Sequence, residues 1–241
     1  MSSVRINKYL SRCGVTSRRG ADSLISQKRV VVNGEVVEKA GVIIDDQSDI
    51  VKVDGAVVSP IQEKLYILLY KPRRVMTTLH DPFRRKTVAH FLKNLKHRVY
   101  PVGRLDYDTD GVLLLTNDGD LAYRLTHPRY KVPKVYEAQV QGRFLQISAE
   151  RIGKGIKLED GAIGRAKVQI MDYGHNYTRI KLTLTEGRKR EVKQLCKAVG
   201  NRVLKLRRVE FAKLTVKGLQ PGNWRELSSV EVQRLKKLVG L

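Results

Sequence analysis

The sequence predicts an α+β protein in which a small helical N-terminal module precedes a larger domain with a mainly antiparallel sheet. Two observations lead to this fold class. Two short amphipathic helices and a ribbon of short strands come before a polar, Pro-containing linker at 59–64. After that linker, strands and helices interleave to the end of the chain. We therefore predict two domains, residues 1–60 and residues 61–241.

The N-terminal module is predicted from capping and turn signals. Ser17 is suited to cap a second helix that reaches Gln27. Asn33-Gly34 and Asp54-Gly55 are typical of tight hairpin turns, since both residues of such turns need a positive φ. The predicted strands of this ribbon are 30–32, 35–37 and 51–53.

The larger domain is predicted from apolar runs of strand length and from helical periodicity. Its strands are predicted at 65–70, 112–115, 135–140, 165–171 and 178–184. Its helices are predicted at 121–125, 148–156 and 190–199, and Ser228 is suited to cap a last helix that ends near residue 238.

The charge of the chain favours a polyanionic partner. Lys and Arg total 47 against 24 Asp and Glu, so the net charge is +23. No apolar run approaches the roughly 20 residues that cross a membrane, and the N-terminus lacks a secretory pattern, so we expect a cytoplasmic protein bound to nucleic acid. Cys13 and Cys196 are too few for a disulfide framework, and the five histidines are scattered, so we expect no metal.

Basic residues of the module predict a surface that faces phosphates. They are Arg5, Lys8, Arg12, Arg18, Arg19, Lys28 and Arg29. The segments RINKYL, SRR and RVVVNG resemble the S4 RNA-binding module over residues 4–50, with Lys28 where that module usually has Gly. The resemblance implies that these basic residues and Asn33 contact RNA.

The loop before the strand at 112–115 carries three acids, Asp106, Asp108 and Asp110. A loop that leads into a buried strand is a rigid mount, and a carboxylate beside an arginine is held ionised, so it can act as nucleophile or base. A lone aspartate in such a loop more often solvates a turn. That interpretation is kept for Asp108 and Asp110.

The run GRLDYDTDGVLLLTNDG closely resembles the active-site motif of the RsuA/RluB branch of pseudouridine synthases. The resemblance implies that Asp106 is the catalytic carboxylate. It also implies that Arg104 fills the gap left by a flipped-out uridine, with Thr109 as a further RNA contact. The segment YILLYKPRRVMTT resembles the family's strand-turn segment, which places Lys71 among the RNA contacts, and Arg74 occupies a position where the family commonly has Gly.

Two later motifs complete the resemblance. EGRKREVKQL resembles the motif whose basic residue pairs with the catalytic aspartate, which implies that role for Lys193 as a point charge. KVY resembles the Lys-x-Tyr strand, which implies that Tyr136 stacks on the target base and handles a proton at C5. Without the motif, an aromatic residue in a strand is more often a core residue.

The implied function is the isomerisation of a uridine in ribosomal RNA without any cofactor. We expect the protein to be a monomer. The chain looks most like RluB-type enzymes of the large subunit, with the S4 module and the loop 80–86 selecting the substrate. Three alternatives remain open. They are a small-subunit target, a non-catalytic RNA-binding or ribosome-assembly protein, and a hydrolase that uses Asp106 and Asp110 as an acid and base pair.

Overall fold

A computed structural model describes residues 3–93 and 95–241 and divides the chain into two compact units. The first unit comprises the residues up to 64 together with 96–98, and the second comprises 65–95 and 99–241. The predicted α+β class is confirmed, and the boundary after residue 60 stays a prediction. The first two residues of the predicted N-terminal domain lie outside the described residues.

The first unit packs two helices on short antiparallel strands. The helix α2 begins after Ser17, whose hydroxyl accepts a hydrogen bond from the Gly20 amide, so the predicted cap is confirmed. The strands pair as β1–β4 and in the order β3–β2–β5–β6. The core includes Ile6, Leu10 and Ile25. The elements are β1 Ser3–Arg5, α1 Ile6–Arg12, α2 Arg18–Ser26, β2 Val30–Val32, β3 Glu35–Val36, β4 Ile43–Asp45, β5 Val51–Val53 and β6 Ala56–Val57.

Left-handed residues shape the turns of the first unit. Asn33 and Gly34 have φ of 50° and 92°, and Asp54 and Gly55 have 51° and 81°, as the predicted hairpin turns require. Lys28 has φ of 57° where the S4 module usually has Gly. This position therefore keeps the glycine-like backbone although its residue is a lysine.

The second unit is built on a sheet of nine strands in the described residues. The central order is β13–β14–β10–β15–β9–β7–β17, with β16 beside β15 and β8 beside β9. The elements are β7 Tyr66–Lys71, β8 Tyr100–Pro101, β9 Thr109–Thr116, α3 Gly119–Thr126, β10 Lys134–Gln141, α4 Gln146–Lys154, β11 Ile156–Lys157, β12 Ile163–Gly164, β13 Lys167–Tyr173, β14 Tyr177–Leu184, α5 Glu191–Ala198, β15 Val203–Phe211, β16 Leu214–Thr215, β17 Trp224–Glu226 and α6 Ser229–Leu238.

The predicted helices and strands of this unit are present, and their ends shift by a few residues. The cap at Ser228 is confirmed. The helix predicted at 148–156 ends at Lys154, because Gly155 adopts φ of 113° and stops it. None of the helices in 3–93 and 95–241 is long and apolar enough to cross a membrane.

The strand β9 is buried along all eight residues. Leu113 and Leu115 pack into one apolar cluster with β7 and with Val75, Val88 and Val99. Val112 and Leu114 pack into another with α3 and α6. A strand that is packed on both faces is rigid. The loop that leads into β9 is therefore attached to a fixed support.

The pairing of β9 with β15 joins the two halves of the sheet. It is parallel and matches three residue pairs, Leu206 with Thr109, Arg207 with Asp110 and Arg208 with Gly111. A Cβ atom on Gly111 would lie 2.1 Å from the Arg208 carbonyl oxygen. Glycine is therefore required at 111 for the two strands to approach this closely.

Candidate active site

The loop between β8 and β9 holds Asp106 in a closed turn. The Thr109 amide donates to the Asp106 carbonyl at 3.1 Å. One residue earlier, the hydroxyl of Thr77 donates to the Leu105 carbonyl at 2.7 Å and accepts from the Leu105 amide at 3.3 Å. The backbone on both sides of Asp106 is thus fixed, and its side chain remains 37% exposed.

Lys71 lies beneath this turn and does not face solvent. Its side chain is fully buried, and its ammonium donates to the carbonyls of Thr109 at 2.8 Å, Pro72 at 3.0 Å and Asp106 at 3.2 Å. Burial lowers the pKa of Lys71 to about 8, although the neighbouring aspartates oppose this shift. The prediction that Lys71 contacts RNA is therefore wrong, because its donors are all directed to the protein's own backbone.

Thr109 also differs from its predicted role. Its side chain is 2% exposed, and its hydroxyl has no hydrogen-bond partner among the described residues. A group that water cannot reach is not placed for a direct RNA contact. Thr109 instead forms the first residue of β9 and closes the turn through its amide.

Lys193 of α5 lies between two carboxylates of the loop. Its Nζ is 3.3 Å from Oδ2 of Asp106 and 2.5 Å from Oδ1 of Asp108. Burial would raise the pKa of Asp108, but the hydrogen bond and charge of Lys193 outweigh burial and lower it. The contact with Asp106 that the resemblance implied is present, and Asp108 takes the closer position.

The other two acids of the loop are thus more than turn residues. Asp108 pairs with Lys193, and the side chain of Asp110 is largely buried, with its Oδ2 2.8 Å from Nε of Arg207. The interpretation that both acids only solvate a turn is wrong. Their partners lie about 85 and 97 residues away in the chain, so no local sequence signal could reveal them.

A pocket brings together most of the predicted catalytic groups. Asp106 and Arg104 of the loop and Tyr136 of β10 line it. Arg104 is exposed, and Tyr136 is half-buried against the core cluster of β10, β14 and α5. The remaining lining residues are Leu105, Thr109, Leu184, Glu186, Gly187, Arg188, Arg190, Glu191, Val192 and Leu206.

Glu191 is a pocket residue that the sequence did not single out. It is 4% exposed, and its Oε2 accepts a hydrogen bond from the Arg188 amide at 3.0 Å. Its Oε1 has no partner among the described residues, and burial raises the pKa of this carboxyl group. A glutamate in a basic segment resembles a solvated helix residue, so its burial could not be predicted from sequence.

The predicted RNA-binding residues of the first unit fall into two groups. Arg5, Arg18 and Arg19 are exposed, and Lys8 is half-buried. The others contact acids of the same unit or support its turns. Arg12 lies 3.4 Å from Asp46, Lys28 lies 2.9 Å from Glu38, Arg29 pairs with Asp54 through two hydrogen bonds, and Asn33 bonds Asp49 and the Ile50 amide.

The pocket offers acid–base and electrostatic chemistry. It contains an accessible carboxylate beside a cation, a phenol and an exposed guanidinium. Among the described residues, no group of three or more His, Cys, Asp or Glu side chains is placed to hold a metal ion. The arrangement suits nucleophilic attack or proton abstraction by Asp106 on a substrate that enters the pocket.

Comparisons with known proteins give the pocket a context. Residues 65–198 match the family model described as RNA pseudouridylate synthase, and residues 4–51 match the S4 domain. An uncharacterised RNA pseudouridine synthase of Aquifex aeolicus is 48% identical, covering 100% of this chain and 97% of that protein. The ribosomal large subunit pseudouridine synthase B of Bacillus subtilis is 44% identical, covering 97% and 96%. A crystal structure of a pseudouridylate synthase is similar with a TM-score of 0.69 at 28% identity, covering 96% of this chain and 99% of the other.

Proposed function

The chain belongs to the RNA pseudouridylate synthase family, and from this premise we propose that it isomerises one uridine of large-subunit ribosomal RNA, with Asp106 as the reacting carboxylate. The observation that carries the proposal is the placement of Asp106. Its carboxylate lines a pocket on a fixed turn, with the Lys193 ammonium 3.3 Å away and Tyr136 on the same pocket wall.

The reaction breaks the N1–C1′ bond, turns the detached uracil and joins C5 to C1′. Asp106 starts it by attack on the sugar or by removal of its 2′ proton, and either route needs an ionised carboxylate. The Lys193 ammonium lies 3.3 Å from Oδ2 of Asp106 and places a positive charge beside the carboxylate. C5 loses one proton and N1 gains one, so the reaction conserves mass. We assign the removal of the proton from C5 to Tyr136. No oxidation, hydrolysis or cofactor is required.

Arg104 is proposed to stabilise the flipped-out state of the target nucleotide. Removing a base from its stack costs a few kcal/mol. An exposed guanidinium at the pocket can stack in the vacated position while it contacts a phosphate. Binding energy from the rest of the basic surface offsets the remaining cost.

The Bacillus subtilis relative and the net charge of +23 support large-subunit ribosomal RNA as the substrate. We further propose that the protein acts as a monomer in the cytoplasm. The S4 unit is proposed to select the site through its exposed basic residues. Charge reversal of Arg18 and Arg19 to Glu should weaken binding of the ribosomal RNA and reduce site selection. Unchanged affinity and site would contradict that role.

The reaction is tested by carbodiimide-dependent primer extension on unmodified ribosomal RNA. We expect one new stop in large-subunit RNA with the wild-type protein. The stop should be absent with Asp106→Asn and present with Glu150→Gln, an exposed glutamate of α4 that serves as an isosteric control. Asp108→Asn should retain the stop, which would separate the two carboxylates that share Lys193.

The other outcomes identify the alternatives. A stop only in small-subunit RNA would reassign the substrate. Release of free uracil from the RNA would indicate a hydrolase, because isomerisation conserves mass. Tight binding with no stop in either RNA, or in ribosomal assembly particles, would indicate a non-catalytic RNA-binding protein.

A further inference from the structure

We infer that the loop 80–86, here called the tip loop, presents the ring of Phe83 as a stacking surface for an unpaired base of the substrate RNA. This inference rests on the proposed function, because it assigns a second contact to the same RNA. It concerns a side chain outside the pocket described above.

Phe83 is exposed in a way that the other phenylalanines are not. Its relative exposure is 76%, whereas Phe144 and Phe211 are at most 1% exposed and Phe91 is half-buried. Of the four phenylalanines in the chain, Phe83 is therefore the one that contributes little to a core. Exposed rings of this kind are typical of binding surfaces when the backbone beneath them is ordered.

The backbone of the tip loop is ordered by one buried carboxylate. Asp81 is 9% exposed, and its Oδ2 accepts hydrogen bonds from the amides of Phe83 and Arg85, each at 3.1 Å. The Arg85 guanidinium donates to the same carboxylate at 3.1 and 2.7 Å. Arg84 adopts φ of 55°, and its amide donates to the Asp81 carbonyl. Phe83 is therefore held at the end of a rigid turn, which lowers the entropy cost of binding.

Basic residues lie beside the ring and follow it in the loop. The Arg85 guanidinium lies 5.0 Å from the ring centroid of Phe83, and Arg84 and Lys86 follow in the loop with exposed side chains. Arg84 forms no ion pair within the described residues. An aromatic ring beside the Arg85 guanidinium, with the unpaired Arg84 next to it in the loop, fits a base and its phosphates. An apolar protein partner would not need these charges, so RNA is the partner that the chemistry favours.

The tip loop is connected to the catalytic loop by one short segment. The Met76 amide donates to the Lys86 carbonyl at 2.8 Å, which closes the base of the tip loop. The next residue, Thr77, forms the two hydrogen bonds that hold Leu105 beside Asp106. The segment that contains Met76 and Thr77 would thus connect RNA stacked on Phe83 to the loop that positions Asp106.

Substitutions at Phe83 test stacking against other kinds of contact. The probe is an in vitro transcript of large-subunit ribosomal RNA, with affinity measured by filter binding. Phe83→Ala and Phe83→Leu should each bind about tenfold or more weakly, whereas Phe83→Trp should bind at least as tightly as the wild type. Ile147→Ala, which truncates an exposed side chain of α4, should bind like the wild type. The loop hydrogen bonds use backbone atoms of Phe83, so the Tm should not change.

The salt dependence separates stacking from charge. For Phe83→Ala, the slope of log affinity against log salt should equal that of the wild type, because no phosphate contact is lost. For Arg84→Ala, the slope should decrease by about one. Wild-type affinity of Phe83→Ala, or of Phe83→Leu, would overturn the inference, the latter because leucine keeps an apolar contact but cannot stack.

The two proposals fail in different ways. Weaker binding of Phe83→Ala without any pseudouridine in the wild-type reaction would overturn the proposed function and leave the stacking contact in place. Pseudouridine formation with equal affinities for all Phe83 variants would overturn the stacking contact alone.

Discussion

Replacement of Lys71 by methionine removes the ammonium that supports the turn carrying Asp106. Methionine keeps a long unbranched side chain, so packing changes little. Three carbonyl oxygens lose their donor, and each hydrogen bond to a charged group contributes about 1.5–3 kcal/mol. The cation no longer has to be desolvated, which offsets part of this loss. We expect the free energy of unfolding to fall by about 1–3 kcal/mol at pH 7. Turnover should fall at least tenfold because Asp106 is displaced.

The pH dependence of this loss follows from the pKa of Lys71. Burial lowers that pKa to about 8, from 10.5 for an ordinary lysine. Between these values the unfolded chain binds more protons than the folded one, so wild-type stability rises with pH. The variant lacks this contribution. The free energy of unfolding of the wild type, relative to that of Lys71→Met, should therefore increase by about 2 kcal/mol between about pH 7 and pH 9.5.

Urea unfolding followed by the fluorescence of Trp224 measures this advantage. Trp224 is the single tryptophan of the chain, and its indole donates to the Phe91 carbonyl within the second unit. Lys181→Met, at an exposed lysine of β14, is the matched control and should show a constant difference from the wild type. A constant difference for Lys71→Met as well would refute the argument that its charge is buried at a cost.

Three further predictions concern other contacts. Hydrogen bonding from Arg225 lowers the pKa of Glu231 to about 2. The contribution of this pair to the stability of the fold is therefore fully present above the ordinary pKa of 4.5. The Tm advantage of the wild type over Glu231→Gln should therefore shrink as the pH falls from 4.5 towards 2. Arg74→Gly should raise the free energy of unfolding by up to about 1 kcal/mol, because Arg74 has φ of 59°, and a decrease would contradict this. Thr77→Val removes both hydrogen bonds to Leu105 and should lower kcat about tenfold at unchanged KM. The assay is tritium release from RNA labelled at C5 of uridine. An unaltered kcat would contradict the role of these hydrogen bonds in positioning Asp106.

The sequence predicted features that depend on neighbouring residues. The caps at Ser17 and Ser228 and the two hairpin turns were confirmed because their signals lie within four residues of the structures they form. The family resemblance was also confirmed, since it rests on long contiguous motifs. The motifs also led to Asp106, Tyr136 and Arg104, which line one pocket.

The features that were missed depend on distant residues. The resemblance placed Lys71 in contact with RNA, and the residues beside it in the sequence gave no sign that three backbone carbonyls surround its ammonium. Asp108 and Asp110 have partners on α5 and β15, and β15 itself was not predicted because charged residues interrupt its apolar pattern. Pairings over such separations are decided by tertiary packing.

The pairing of β9 with β15 has a consequence for how this site can evolve. Asp106 precedes β9, whereas Tyr136 and Lys193 belong to elements on the β15 side of that pairing. The pocket is thus a gap between two half-sheets, and its width depends on the angle at which they diverge from a contact only three residue pairs long. The close approach of the strands requires glycine at 111, so substitutions that alter this angle would fall on the residues around it. A change at this pairing therefore alters the space open to neighbouring nucleotides while Asp106, Tyr136 and Lys193 themselves are unchanged.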